Sequence, residues 1–125
     1  MNKDKFKQDI QLLVITKGVP KSQHVFSPME DTAAYYCALT NKSNKDYLDL
    51  VVTKLNVASG KKLKVSSFNS RIANMSFEIY KKGLERNSEQ GKTIANYIKK
   101  FMEENQMNSI QLKECINYMF GRELV

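Results

Sequence analysis

Side chains that commonly do chemistry are few in this chain, and their spacing points away from catalysis. There is one histidine, His24, and two cysteines, Cys37 and Cys115. A nucleophilic centre on His24 would need a positioned partner, yet no Gly-x-Ser-x-Gly turn occurs and neither cysteine has a motif around it. His24 is therefore expected to be a loop side chain packing beside Val25 and Phe26. The two cysteines are too far apart in sequence, with no second ligand near either, to form a zinc site, and reduced core thiols are expected instead. Asp46 with Asp49, and Glu103 with Glu104, are the carboxylate pairs that a divalent ion for phosphodiester cleavage would require. Neither pair has a third acid or a lysine at a matching distance, and acids in a first helical turn answer the helix dipole alone. Glu89-Gln90-Gly91-Lys92-Thr93 ends like a phosphate-binding loop but lacks the first glycine and a preceding strand. The expectation is a protein that is not an enzyme, with no cofactor and no metal.

Charge gives the more informative pattern. The chain carries 20 Lys+Arg against 13 Asp+Glu, a formal net charge of +7. Residues 1–53 hold seven basic and six acidic side chains, residues 93–125 hold four of each, and residues 54–92 hold nine and three, so this middle segment carries 9 − 3 = +6. Its basic residues are Lys54, Lys61, Lys62, Lys64, Arg71, Lys81, Lys82, Arg86 and Lys92. Concentrated positive charge attracts phosphate through counterion release, which makes this set the candidate nucleic-acid surface. The pairs Glu78 with Lys82 and Lys81 with Glu85, at helical spacing, are also what an ordinary solvated stripe would show. A second function of different class uses the same residues: an adaptor or inhibitor that grips an acidic protein surface, or a homo-oligomer. Mimicry of DNA is excluded, because it needs a strongly acidic surface.

A further hint lies near the C-terminus, where Lys92 to Glu104, a turn at Asn105 to Met107 and a helix from Asn108 have helix-turn-helix lengths. The second helix would present Ser109, Gln111, Lys113 and Asn117, residue types suited to base edges. The turn lacks a glycine, and a plain helical hairpin is the stronger expectation. No stacking platform separates DNA from RNA: Tyr35, Tyr36 and Tyr118 read as half-buried packing groups with wet hydroxyls.

These residues must be positioned by a core, and 125 residues with 42% hydrophobic content suffice for one domain without staples. Phe6, Ile10, Leu13 and Val14 mark a helix over residues 3–17. Ser27-Pro28-Met29-Glu30 has a capping box with proline at the first helical position, and opens a helix rich in small residues that implies close backbone packing. Ser43 with Asp46 is expected to cap the next, whose stripe is Tyr47, Leu48, Val51, Val52 and Leu55, with Gly60 closing the region. Residues 61–65 read as a loop. Ser66 or Ser67 then opens a helix along Phe68, Ile72, Met75 and Ile79, ended by Gly83 with Leu84 folding back. Asn87 with Gln90, and Asn108 with Gln111, cap two more, with Gly121 as the last stop.

The reading is all-α, one compact domain of five or six short helices, with a minor β-hairpin near 11–16 and 62–66 as the competing arrangement. The expected core is Ile10, Leu13, Leu39, Val51, Leu55, Phe68, Ile72, Met75, Ile79, Ile94, Ile98, Phe101, Leu112, Ile116 and Phe120. No apolar run approaches a membrane span and no signal-peptide core follows the first residues, so a cytoplasmic protein without a membrane partner is expected. Small size and abundant Lys and Asn are compatible with an accessory protein of a phage or mobile element.

Overall fold

A computed structural model describes residues 2–13, 26–80 and 89–125. Among these residues the chain is helical throughout its regular elements: α1 Lys3–Leu12, α2 Pro28–Leu39, α3 Lys45–Ser59, α4 Val65–Tyr80, α5 Glu89–Glu104 and α6 Ser109–Phe120. The all-α expectation holds. The competing hairpin does not: Gln11 and Leu12 are helical, Leu13 caps α1, residues 62–64 are irregular and Val65 and Ser66 are already in α4. Residues 14–17 of the first expected helix, His24, the Gly83–Leu84 closure and Asn87 lie outside the described residues.

Local chemistry explains the helix starts. The Ser27 N–H donates to Glu30 Oε1 at 2.9 Å and the Glu30 N–H returns to Ser27 Oγ at 3.1 Å, with Pro28 at the first helical position. Asn108 and Gln111 repeat the box on α6 at 3.0 and 2.9 Å. Two expected caps move by a residue or more. Asn44, not Ser43, caps α3, because its Oδ1 reaches the N–H groups of both Asp46 and Tyr47. α4 begins at Val65, before Ser66 and Ser67, with the Phe68 N–H donating to the Lys64 carbonyl at 3.0 Å.

The helix ends need left-handed residues. Gly60 and Gly121 supply them at φ 71° and 68° without a Cβ penalty. Asn41 and Gln106 do the same for α2 and α5 at φ 55° and 52°, each followed by an N–H that reaches back across the turn: Lys42 to Cys37, and Met107 to Met102, both 2.9 Å. The α5–α6 turn therefore has the geometry of a glycine closure with glutamine in the strained place.

α2 runs through the middle of the core. It packs most extensively on α4 and also on α1, α5 and α6, and every residue from Glu30 to Ala38 is buried. Its small side chains at Ala33, Ala34 and Ala38 let neighbours approach from several sides. Tyr35 and Tyr36, expected to be half-buried, are enclosed at 2% and 4% exposure for the same reason. One cluster then gathers Phe6 and Ile10, the inner face of α3, Phe68, Ile72 and Met75, the α5 seam Ile94, Ile98 and Phe101, and Leu112, Ile116 and Met119. Leu13, Leu39, Ile79 and Phe120, expected in the core, pack against it only partly buried, because each lies at a helix end. Beyond α6 the chain turns back: Asn117 Oδ1 accepts from the Leu124 and Val125 N–H groups at 2.7 and 3.1 Å, and both residues are buried.

Burial of the two thiols has a measurable outcome. Burial pushes Cys37 from 9.0 up to about 12 and Tyr35 from 10.0 up to about 12. Both groups hold their protons more tightly folded than unfolded, so their stabilising effect is complete below about pH 9 and is lost as pH rises towards 12. A urea midpoint measured against pH should fall through that interval. At pH 8 a chromogenic thiol reagent should find neither Cys37 nor Cys115 in the native protein and both in denaturant; a reactive native thiol would contradict the buried placement.

Candidate nucleic-acid interface

The α3–α4 connection is pinned by one side chain. Asn56 Nδ2 donates to the Leu63 carbonyl at 3.0 Å while the Leu63 N–H donates to Asn56 Oδ1 at 2.9 Å, so an amide reads the backbone as a neighbouring strand would. Leu63 is thereby buried at 4% exposure, and Lys61, Lys62 and Lys64 on either side of it are exposed. The Lys61 N–H also donates to Ser59 Oγ at 3.2 Å, and its ammonium lies 3.6 Å from the buried carboxylate of Glu30. Lys54, on the last turns of α3, is half-buried. Lys61, Lys62 and Lys64 therefore stand immediately ahead of α4.

α4 continues this surface with a face of different character. Ser66, Asn69, Ser70 and Ala73 are exposed, at spacings of three, one and three that define one side of the helix. From Leu50 to Phe77 the chain contains no Asp or Glu. Beside this face a shallow cleft of about 270 Å³ opens against the α2–α3 turn, and Lys42 lines it together with Asn69 and Ala73. Lys42 was not among the sequence candidates. It lies 4.8 Å from the centroid of the Tyr47 ring, which orients its ammonium.

Arg71 requires a correction. Expected as a phosphate contact, it turns inward and pairs with Asp31 through two bonds, Nε to Oδ1 at 2.6 Å and a terminal nitrogen to Oδ2 at 2.9 Å. Its guanidinium also covers the Phe26 ring at 4.7 Å. Gln90 completes the network, its Nε2 donating to Asp31 Oδ2 at 2.9 Å and to the Phe26 carbonyl at 2.8 Å. The network joins α2, α4 and α5. Burial dominates at Asp31 and lifts its carboxyl above the usual range against the pull of Arg71 and Gln90. This is structural machinery, and it fixes how α4 is rotated against the core.

The remaining candidates disperse. Lys81, Lys82 and Arg86, with the helical charge pairs expected around them, lie outside the described residues. Lys92 is half-buried in the first turn of α5. Gln111 is occupied by the α6 cap and Asn117 by the returning tail, so neither is available as a base reader, and Lys113 is half-buried on a helix that packs on α1 and α2. The helix-turn-helix weighed for α5 and α6 as the weaker alternative loses Gln111 and Asn117 as readers. Among the described residues no group of three or more His, Cys, Asp or Glu is placed to hold a metal ion, and no helix is long and apolar enough to cross a membrane. Comparison of the chain with family models, curated proteins and solved structures finds no match, so the functional reading rests on this geometry.

Proposed function

We propose that this chain is a non-catalytic, cytoplasmic nucleic-acid-binding accessory protein of the kind a phage or mobile element would carry, contacting phosphates through Lys61, Lys62 and Lys64 with Lys54 beside them. One observation carries the reading: Asn56 fixes Leu63 in the core, so exposed Lys62 and Lys64, with Lys61 held beside Glu30, stand on a pinned loop in a stretch of sequence without Asp or Glu. The loop's freedom is lost on folding, not on binding, which favours affinity. Buried free thiols at Cys37 and Cys115 fit a reducing compartment.

Labelled duplex and single-stranded oligonucleotides titrated across a salt series test it. Contact between four lysines and phosphates gives a log–log slope of about −3.6 on duplex DNA, since each contributes about −0.9. Replacing Lys61, Lys62 and Lys64 together with alanine should flatten that slope by up to about 2.7 while leaving the helical circular dichroism unchanged. Absence of binding at low salt, or an unchanged slope in the triple variant, would overturn the proposal. The lysines would then be left to an acidic protein surface or a second copy of the chain.

A further inference from the structure

The outer face of α4 differs from those of α1, α3 and α5. α1 exposes Asp4 and Lys5, α3 exposes Lys45 and Asp46, and α5 exposes Lys100, Glu103 and Glu104, the charged positions that ordinary solvated helices carry. Between Lys64 and Glu78, α4 has a single charged residue, Arg71, and that one is turned inward to Asp31. What remains outside is neutral: the short side chains Ser66, Asn69, Ser70 and Ala73 along the first turns, and Tyr80 in the last. Lysines border this face in two directions, Lys62 and Lys64 at its N-terminal end and Lys42 across the cleft that Asn69 and Ala73 line. α2, α3 and α5 support the helix from behind, and the Arg71–Asp31 pair fixes its rotation.

We propose that the outer face of α4 lies in the major groove of duplex DNA and reads its sequence, with Asn69 the principal base contact and the lysines on phosphates at either side. This deepens the preceding reading and depends on it. The major groove, about 12 Å wide, admits an α-helix, and short side chains let the helix axis approach the groove floor. An asparagine amide pairs with the N6 and N7 edge of adenine, serine hydroxyls serve as donor or acceptor, and an alanine methyl meets the thymine methyl. Duplex RNA has a deep, narrow major groove that excludes the helix. Single strands would need a platform of stacking rings along the helix; Ser66, Asn69, Ser70 and Ala73 provide none, and the exposed ring of α4, Tyr80, stands at its far end. α3 and α4 are joined by a short connection that opens at left-handed Gly60, the turn glycine that the α5–α6 pair lacks.

Selection of bound duplexes from a random-sequence pool by the full chain is the deciding experiment. Enrichment of a defined motif is expected. Asn69→Ala should lower affinity for the selected duplex at least tenfold and relax selection at one base pair, while leaving affinity for a scrambled duplex and the salt slope unchanged. Ala73→Glu, at an exposed helical position, should abolish preference for the selected duplex by placing a carboxylate in the groove. The lysine triple variant should weaken both duplexes alike. If the chain binds nucleic acid with its salt slope but enriches no duplex sequence, or prefers RNA or single strands, α4 is not a reader and the lysine-loop proposal survives. If no nucleic acid binds at all, both proposals fall.

Discussion

Replacing Asp31 with alanine is expected to destabilise the protein by about 3–5 kcal/mol, because it leaves the Arg71 guanidinium in the core without its counter-charge. Asp31 is wholly inaccessible, and the Arg71 side chain is only 12% exposed. Arg71→Met should be comparably damaging, since it strands the carboxylate instead. The informative comparison is the double variant Asp31→Leu with Arg71→Met, which removes both charges and fills the space with apolar atoms. Burial outweighs the attraction at Asp31 and raises its carboxyl despite the pair. The double variant should therefore recover to within about 1 kcal/mol of the parent chain, because removing both charges also removes their desolvation penalty. Urea unfolding of the parent, Asp31→Leu, Arg71→Met and the double variant gives the coupling directly. Losses that simply add would show that the two residues do not act as a unit. The same set separates structure from binding: Arg71→Met should reduce stability and leave the salt slope for nucleic acid unchanged, whereas a phosphate contact would flatten it by about one unit.

The difference between Arg71 and the three loop lysines shows what sequence can and cannot reveal here. Alternation around Leu63 places Lys62 and Lys64 on the opposite side from a buried leucine, and that much is local. Arg71 also had a local signal, since it stands three residues after Phe68 and four before Met75 and so borders the inward stripe. Its partner, however, is 40 positions away, on a helix whose acids read equally well as dipole complements. Capping boxes at Ser27 and Asn108 were legible because all their atoms come from four consecutive residues. The choice of Asn44 over Ser43 was not, because both side chains can cap and the helix axis decides between them. α2 hid its central place for another reason: a helix buried on every side has no amphipathic stripe, and its alanines signalled only close packing. The neutral face of α4 did not stand out in the sequence, where the apolar stripe and the neighbouring charges dominate. Its meaning depended on knowing that Arg71 points the other way.

Phe6→Ala is expected to cost about 3–5 kcal/mol, the second large effect, and to loosen α1 ahead of the rest of the fold. Phe6 is fully buried, with its ring centroid 5.1 Å from Phe101 and 6.2 Å from Tyr97, so one side chain anchors α1 to α5. Tyr97 stacks on Phe101 at 6.0 Å and donates its hydroxyl to Asp9 at 2.6 Å, adding a polar tie between the same two helices. Hydrogen bonds from Lys5 and Tyr97 hold the Asp9 carboxyl below its usual range. The tie is therefore present above the ordinary aspartate range and weakens as pH falls through the lowered value. Tyr97→Phe removes it and should cost about 1 kcal/mol, well short of the ring deletion. Amide hydrogen exchange should show α1 losing protection in Phe6→Ala under conditions where α4 keeps its own, because α4 is held by α2 and the Asp31 network and makes no extensive contact with α1. Equal loss of protection in α1 and α4 would mean that the molecule opens as one unit. In that case stability and the lysine surface could not be perturbed separately through α1.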